Sequence, residues 1–260
     1  MGIDKAADLD YTLVVPSRRR VHNMPVIREL LPTALVCVDE REVKEYLTEV
    51  PEGKLLVHPP LDGVARVMNW MLDAVKTPIF IEIDDDFAGV RVNVGTRRFI
   101  TDPVEILNII ENACRATQDL GLTAFTFAHS QHTVFNRADI WPVRPVQQCD
   151  NCFGVMGAAR YRKYDEGLPG RAAVDWTLRT LLEDRCLYVD MRFRFDCGEI
   201  FSGAGGNVGL VTTDQFVATS RKLRKRWGKH LNTEAPGSQK RPHVSPLRLQ
   251  VSRWNNKAQR

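Results

Sequence analysis

The sequence predicts an α/β protein built on a largely parallel sheet flanked by helices and followed by a basic C-terminal extension. Three observations lead there. Short β-branched runs alternate with segments of helical apolar spacing from residue 11 to residue 83, the order expected of βαβ units. Two of those runs, 34–38 and 79–83, are almost wholly apolar, as buried strands are. The second of them, IFIEI, leads straight into three aspartates, and open α/β sheets bind ligands just beyond the carboxyl ends of their strands.

In chain order, 11–15 (YTLVV) is the first strand, stopped by Pro16, and a helical pattern begins near Pro25. Residues 34–38 form a second strand ending at Asp39, and an amphipathic helix is expected over 41–50. A short strand at 55–57 precedes a helix over 64–75, and the fourth strand is 79–83. Short strands at 90–94 and 98–100 lead to a long helix over 103–120 with Asp102 as its N-cap. Later strands are expected at 124–128, 153–158 and 188–195, with a helix over 173–182 and another in the basic segment RKLRKRWGKHL. The run SGAGGNVG, 202–209, reads as a glycine-rich loop.

With 260 residues, 43% hydrophobic and 26% charged, the chain fits a soluble globular protein rather than a collagen-like, disordered or coiled-coil one. No apolar run reaches the ~18 residues of a membrane span, and the acidic start does not resemble a secretory signal. A cytoplasmic location is therefore expected, with six sparse cysteines kept as thiols. Charge divides the chain into two expected parts. Residues 221–260 carry twelve Lys or Arg against one Glu, net +11, whereas residues 1–220 carry 24 basic and 31 acidic side chains, net −7. Such a segment suits a polyanion; DNA, RNA and an anionic membrane are alike in this respect.

Asp84, Asp85 and Asp86 are the strongest chemical signal. Adjacent carboxylates repel, and magnesium or manganese favours such oxygen donors; alternation lets two of the three face the same way. The competing reading is a solvated acidic loop. Cys149 and Cys152 have the spacing of half a zinc site, but Cys186 and Cys197 do not complete it as a pair.

A first strand with a polar loop (VVPSRRR), a second ending in Asp39, a helix carrying Arg66 and Asn69 (GVARVMNWML) and a strand ending in an acidic triplet resemble a GT-A-fold nucleotide-sugar glycosyltransferase. The resemblance spans residues 11–90. It implies a GT-A-like Rossmann-type mixed sheet flanked by helices, a UDP-sugar donor and a manganese or magnesium ion. By that resemblance Pro16, Ser17, Arg18, Asp39, Arg66, Asn69, Asp84 and Asp85 bind the nucleotide sugar, with Asp84 and Asp86 on the metal. It also implies a late histidine as third ligand, for which His230 and then His243 are the candidates. The same resemblance puts an acceptor-side acid on a later helix. Asp175 fits as base, with Asp184 behind it, although Val174 stands where such families commonly have Glu. Against these stand plainer readings: Asp39 as a helix N-cap, Arg66 and Asn69 as ordinary polar groups, and Asp175 paired with Arg171 or Arg179.

The compact size, VVPSRRR, IEIDDDF and FGVMGAARYRKYDEGLPGRAAVDW are similar to the TET/JBP-associated glycosyltransferases, a phage-enriched group that decorates hydroxymethylated pyrimidines in DNA. That similarity implies UDP-glucose as donor and 5-hydroxymethylcytosine as acceptor, with the base exposed or flipped. Arg160, Arg162, Lys163, Arg221, Lys222, Arg224, Lys225, Arg226 and Trp227 are the expected DNA face, continued by Arg241, Arg248, Arg253 and Trp254. His129 and His132 are candidates for orienting the acceptor, or ordinary loop histidines. A glycan, lipid or protein acceptor, or a DNA-binding relative without catalysis, is the alternative.

Overall fold

The computed structural model describes residues 9–94, 98–128, 141–198, 210–232 and 248–249. Its first half alternates as expected: β1 (Tyr11–Pro16), α1 (Met24–Leu30), β2 (Leu35–Asp39), α2 (Val43–Tyr46), β3 (Leu55–His58), α3 (Val64–Ala74) and β4 (Ile79–Ile83). β1 lies between β2 and β4, and β2 pairs with β3, all in parallel. The second half supplies β5 (Val90–Val92), β6 (Phe99–Ile100), α4 (Pro103–Asp119), β7 (Ala124–Phe127), β8 (Val143–Arg144), β9 (Cys152–Val155), α5 (Ala172–Asp184), β10 (Tyr188–Asp190), β11 (Phe193–Phe195) and α6 (Thr213–Trp227). Strands β12 (Leu231–Asn232) and β13 (Arg248–Leu249) pair with each other.

The large sheet is mixed, in the order β3-β2-β1-β4-β9-β7-β10-β8, because β9 runs antiparallel to both β4 and β7. Gly154 makes that insertion possible: a Cβ there would meet the Phe125 ring at 2.1 Å. A second, antiparallel sheet has the order β11-β5-β6.

Alternation along the strands fills both faces. Leu13, Val15, Ile81 and Ile83 pack with Met24 and Ile27 of α1 and with Ile106 and Ile110 of α4. Val14 and Phe80 point the other way, toward Met68 and Met71 of α3, Trp176 and Leu178 of α5, and Leu223 and Trp227 of α6. Asp102 caps α4, accepting the Glu105 N–H at 2.8 Å.

Three expectations change. The helix over 41–50 contracts to the single turn of α2, since Thr48 and Val50 are β-branched and Pro51 restrains Val50. The strand over 188–195 is two strands in different sheets, because Asp190 accepts the Arg192 N–H at 3.0 Å and turns the chain. The helix expected in the basic segment from Arg221 starts earlier, as α6, on a reciprocal cap between Thr212 and Gln215, and it buries Leu223 and Trp227. No described helix is long and apolar enough to cross a membrane.

Candidate functional site

Parallel pairing brings the carboxyl ends of β1, β2, β3 and β4 to one edge of the sheet. The loop after β1 is anchored there by the Ser17 N–H, which donates to Cys37 O at 2.9 Å. The Ser17 hydroxyl donates to Asp85 Oδ2 at 2.6 Å and lies 2.7 Å from the Tyr46 hydroxyl. Arg19 adopts a left-handed φ of 55°, unusual for a side chain of its size, and its N–H reaches Glu42 Oε2 at 2.7 Å. That turn sends Arg20 inward. Its Nη1 lies 2.7 Å from Asp85 Oδ1 and 3.1 Å from Asp86 Oδ2, and Asn23 Nδ2 donates to Asp85 O at 3.0 Å.

Within the acidic triplet, Asp85 thus points to Ser17 and Arg20. Asp84 and Asp86 lie with Cys197, and one potential ligand atom from each of these three falls within 4.8 Å of the others. Asp84 is held in place by its N–H, which donates to Asn151 O at 3.0 Å. Burial, and then the charges of Asp150, Asp86 and Asp85, push the Asp84 carboxyl well above the usual carboxylate range, against a smaller opposing pull from Arg20. Burial followed by Asp84 does the same to Glu82, the inward acid of β4. Burial is also the main cause raising Asp85, and burial and then Asp84 raise the Cys197 thiol. The cluster holds more negative charge than Arg20 offsets. Its donors are of the kind a divalent cation takes.

At the same edge of the sheet, formed by the segments that follow β1, β2 and β3, lies a cleft of about 640 Å³ lined by Arg18, Arg19, Arg41, Glu42, Glu45 and Asp62. It adjoins, at Asp62, a smaller cleft of about 240 Å³ lined in part by Arg66, Glu166, Pro169, Gly170 and Gln215. Asp39, at the end of β2, accepts from the Arg41 N–H at 2.9 Å, from Nε at 2.8 Å and from Nη2 at 2.6 Å. Those bonds hold its carboxyl down at about 2. Arg66 and Asn69 tie α3 to the chain near Glu166: Arg66 Nε lies 3.2 Å from Glu166 Oε2, and Asn69 exchanges bonds with the Tyr164 backbone. Pro16 ends β1 at the same edge.

Other expected site residues are placed differently. Asp175 is fully buried and accepts from Arg179 Nε at 2.9 Å, Arg226 Nη1 at 2.8 Å and Trp227 Nε1 at 2.8 Å. It braces α6 against α5, and a carboxylate so enclosed is not placed to take a proton from an acceptor hydroxyl. Asp184 accepts from Thr123 Oγ1 and Arg162. Arg160 is buried, donating to the carbonyls of Leu72 and Val75 at the end of α3, and Arg162 is buried against Thr180 and Glu183. Neither is a DNA-facing cation. Lys163 is half-buried on Asp73 and the Asn69 carbonyl. Trp227 is buried and spends its indole N–H on Asp175, so it offers no stacking face. Arg221, Lys222, Lys225 and Arg226 are exposed along α6, and Arg224 is half-buried.

His230, in the turn after α6, is not part of the Asp84–Asp86–Cys197 group. Cys149 and Cys152 are buried and belong to no group of three or more potential ligands among the described residues. Burial pushes the Cys149 thiol up to about 12. His129, His132, His243, Arg241, Arg253, Trp254 and the 202–209 loop lie outside the described residues, as does the side chain of Arg248. Sequence reasoning missed Arg20, Asn23, Tyr46 and Cys197.

No protein-family model matches the chain, and no curated protein matches it by sequence. In three dimensions it is similar to glucosyl-3-phosphoglycerate synthase from M. tuberculosis, with 86% of this chain matched to 84% of that one at a TM-score of 0.52 and 11% identity. The complex of that synthase with phosphoglyceric acid gives 86% on 83%, a TM-score of 0.50 and 12% identity. S. aureus TarS 1–349 matches 84% of this chain at a TM-score of 0.46 and 11% identity, and the chain spans 65% of that structure. The fold is thereby a GT-A-like, Rossmann-type α/β fold.

Proposed function

We propose that the chain is a metal-dependent glycosyltransferase that moves a sugar, glucose by the sequence resemblance, from a UDP-sugar to the hydroxyl of 5-hydroxymethylcytosine in DNA. One observation carries the reading: a cluster of carboxylates at the carboxyl end of β4 shares the ligand-binding edge of a GT-A-like sheet with a cleft lined by three arginines and three acidic residues. The similar M. tuberculosis protein is by its name a glucosyl-3-phosphoglycerate synthase, which supports glycosyl transfer.

Asp84 and Asp86 would hold the cation, a manganese or magnesium ion, whose charge draws the donor diphosphate and eases departure of the nucleotide. The chain's own residues supply the rest. Ser17 and Arg20 keep Asp85 turned away from Asp84, so that the triplet divides into a brace and a ligand pair. Arg18, Arg19 and Arg41, set among Glu42, Glu45 and Asp62, offer guanidinium donors in a cleft whose size suits a nucleotide sugar. Asp39 meets uracil or ribose once the exposed Arg41 guanidinium swings aside. For the acceptor, the exposed cations of α6 support a polyanion, and with Arg160, Arg162 and Trp227 internal, that helix carries the DNA reading within the described residues.

The test is nucleoside mass spectrometry after incubation with manganese, a panel of UDP-sugars and matched DNAs containing cytosine, 5-hydroxymethylcytosine or 5-hydroxymethyluracil. A hexose-sized gain on 5-hydroxymethylcytosine is expected. Release of UDP with no gain on any DNA moves the acceptor to a glycan, lipid or protein. DNA binding without donor cleavage removes the catalytic reading.

A further inference from the structure

We propose that Cys197 is the third protein ligand of this cation site, which gives it a carboxylate–thiolate donor set and a preference for thiophilic divalent ions over magnesium. The inference rests on the metal-dependent reading above and concerns residues that the sequence did not connect.

Donors that share an ion at ~2.0–2.4 Å lie within ~4.8 Å of one another, and the Asp84, Asp86 and Cys197 atoms meet that limit. The backbone fixes this approach. The Asp196 N–H donates to Gly89 O and the Ala88 N–H donates to Asp196 O, both at 2.9 Å, so the segment after β11 is registered against the chain just past Asp86. Gly198 follows, and a Cβ there would sit 2.7 Å from Asp86 Oδ2, so a larger residue would push that carboxylate aside. Asp85, which would otherwise compete for the ion, is occupied by Ser17 and Arg20. The Cys197 thiol donates a long, weak hydrogen bond to the Asn151 carbonyl at 4.0 Å, a contact that a metal–sulfur bond would replace.

A sulfur donor changes the ion the site prefers. Magnesium wants oxygen and keeps its waters, whereas cobalt, zinc and cadmium accept thiolate readily and manganese tolerates it better than magnesium. Binding forms the metal–sulfur bond and breaks S–H, the proton leaving to buffer, so no oxidant or reductant is required.

The experiment is a cobalt(II) titration of the full chain without oxygen, followed by absorption spectroscopy and calorimetry. A near-ultraviolet thiolate-to-cobalt band is expected at one equivalent. It should be lost in Cys197→Ser, kept in Cys186→Ser, and retained in a large excess of magnesium. One-to-one binding without the band, or a band that survives Cys197→Ser, overturns the thiolate ligand and leaves the metal-dependent reading standing. Loss of the band to magnesium overturns the preference. No cobalt binding at all overturns both. Should Cys197→Ser fail to fold, alkylation of the wild-type chain decides: cadmium is expected to protect Cys197 and not Cys186, and equal labelling of Cys197 with and without cadmium rejects the proposal.

Discussion

The Ser17 hydroxyl donates to Asp85 at 2.6 Å and so locks the loop after β1 to the acidic end of β4, with the Tyr46 hydroxyl on its other side. Ser17→Ala takes one hydrogen bond from each partner in a buried setting, leaving Asp85 and Tyr46 only their contacts with Arg20, which costs about 1–3 kcal/mol. A lower urea midpoint is expected, together with weaker UDP-sugar binding, because Asp85 is then held off Asp84 by Arg20 alone. An unchanged midpoint would show that the lock contributes nothing.

Asp86→Ala removes one of the two carboxylates proposed to hold the cation, from a half-buried loop position and not from the core. Transfer is expected to fall by roughly 100-fold or more, since even outer partners of metal ligands cost ~10–100-fold. Thermal unfolding without metal should be unchanged or slightly raised, as one repelling charge is gone. Full activity in the folded variant rejects the metal role.

Asp175→Asn is expected to act on stability. It leaves the Trp227 indole and two arginines short of a carboxylate; discounted for the partial exposure of both arginines, the loss is about 2 kcal/mol. The kcat of the folded fraction should hold. A collapse of kcat at unchanged Tm would restore Asp175 as the base.

Acidity should stabilise the metal-free chain. Asp84 and Glu82 keep their protons to higher pH when folded than their ordinary values of 3.8 and 4.5, so the folded state binds more protons and stability falls as pH rises from there toward neutral. Asp39, held at about 2, acts oppositely but only below about 4, where its contribution is lost on acidification. Calorimetric Tm should therefore be higher at pH ~5.5 than at ~7.5, and added manganese should raise it more at the higher pH. Equal metal effects at both pH values contradict this account.

If α6 meets DNA, replacing Arg221, Lys222 and Lys225 with alanine should flatten the salt dependence of binding by about one unit for each phosphate that is no longer neutralised. Arg160→Ala should lower stability and leave the slope alone, because its guanidinium serves the carbonyls that end α3. A slope that responds to Arg160 alone would exchange their roles.

The strands and the acidic triplet are legible in the sequence because apolar runs, prolines and adjacent carboxylates are local signals. Cys197 is not, since nothing local links it to Asp86; only the pairing of β11 with β5 brings them together. Charge is visible in a sequence and burial is not, which is why Arg160, Arg162 and Asp175 look available for chemistry until the fold encloses them. In a run of three arginines, composition does not say which one turns inward; the backbone at Arg19 decides that. The start of α6 does carry a signal, the Thr212 to Gln215 cap, but it lies ahead of the basic stretch.

The reversed strand β9 also sets an order of events during synthesis. The four parallel strands are complete once the ribosome has passed Ile83 and need only near neighbours to pair, whereas the wall behind Asp84 requires Asn151 and the thiol that faces it comes later still. A nascent chain therefore carries its cleft arginines and its triplet well before it can close a cage around an ion. If the proposed site takes up an ion, capture waits until Cys197 has been made, and a product released before that point carries the cleft arginines and the triplet without the third donor.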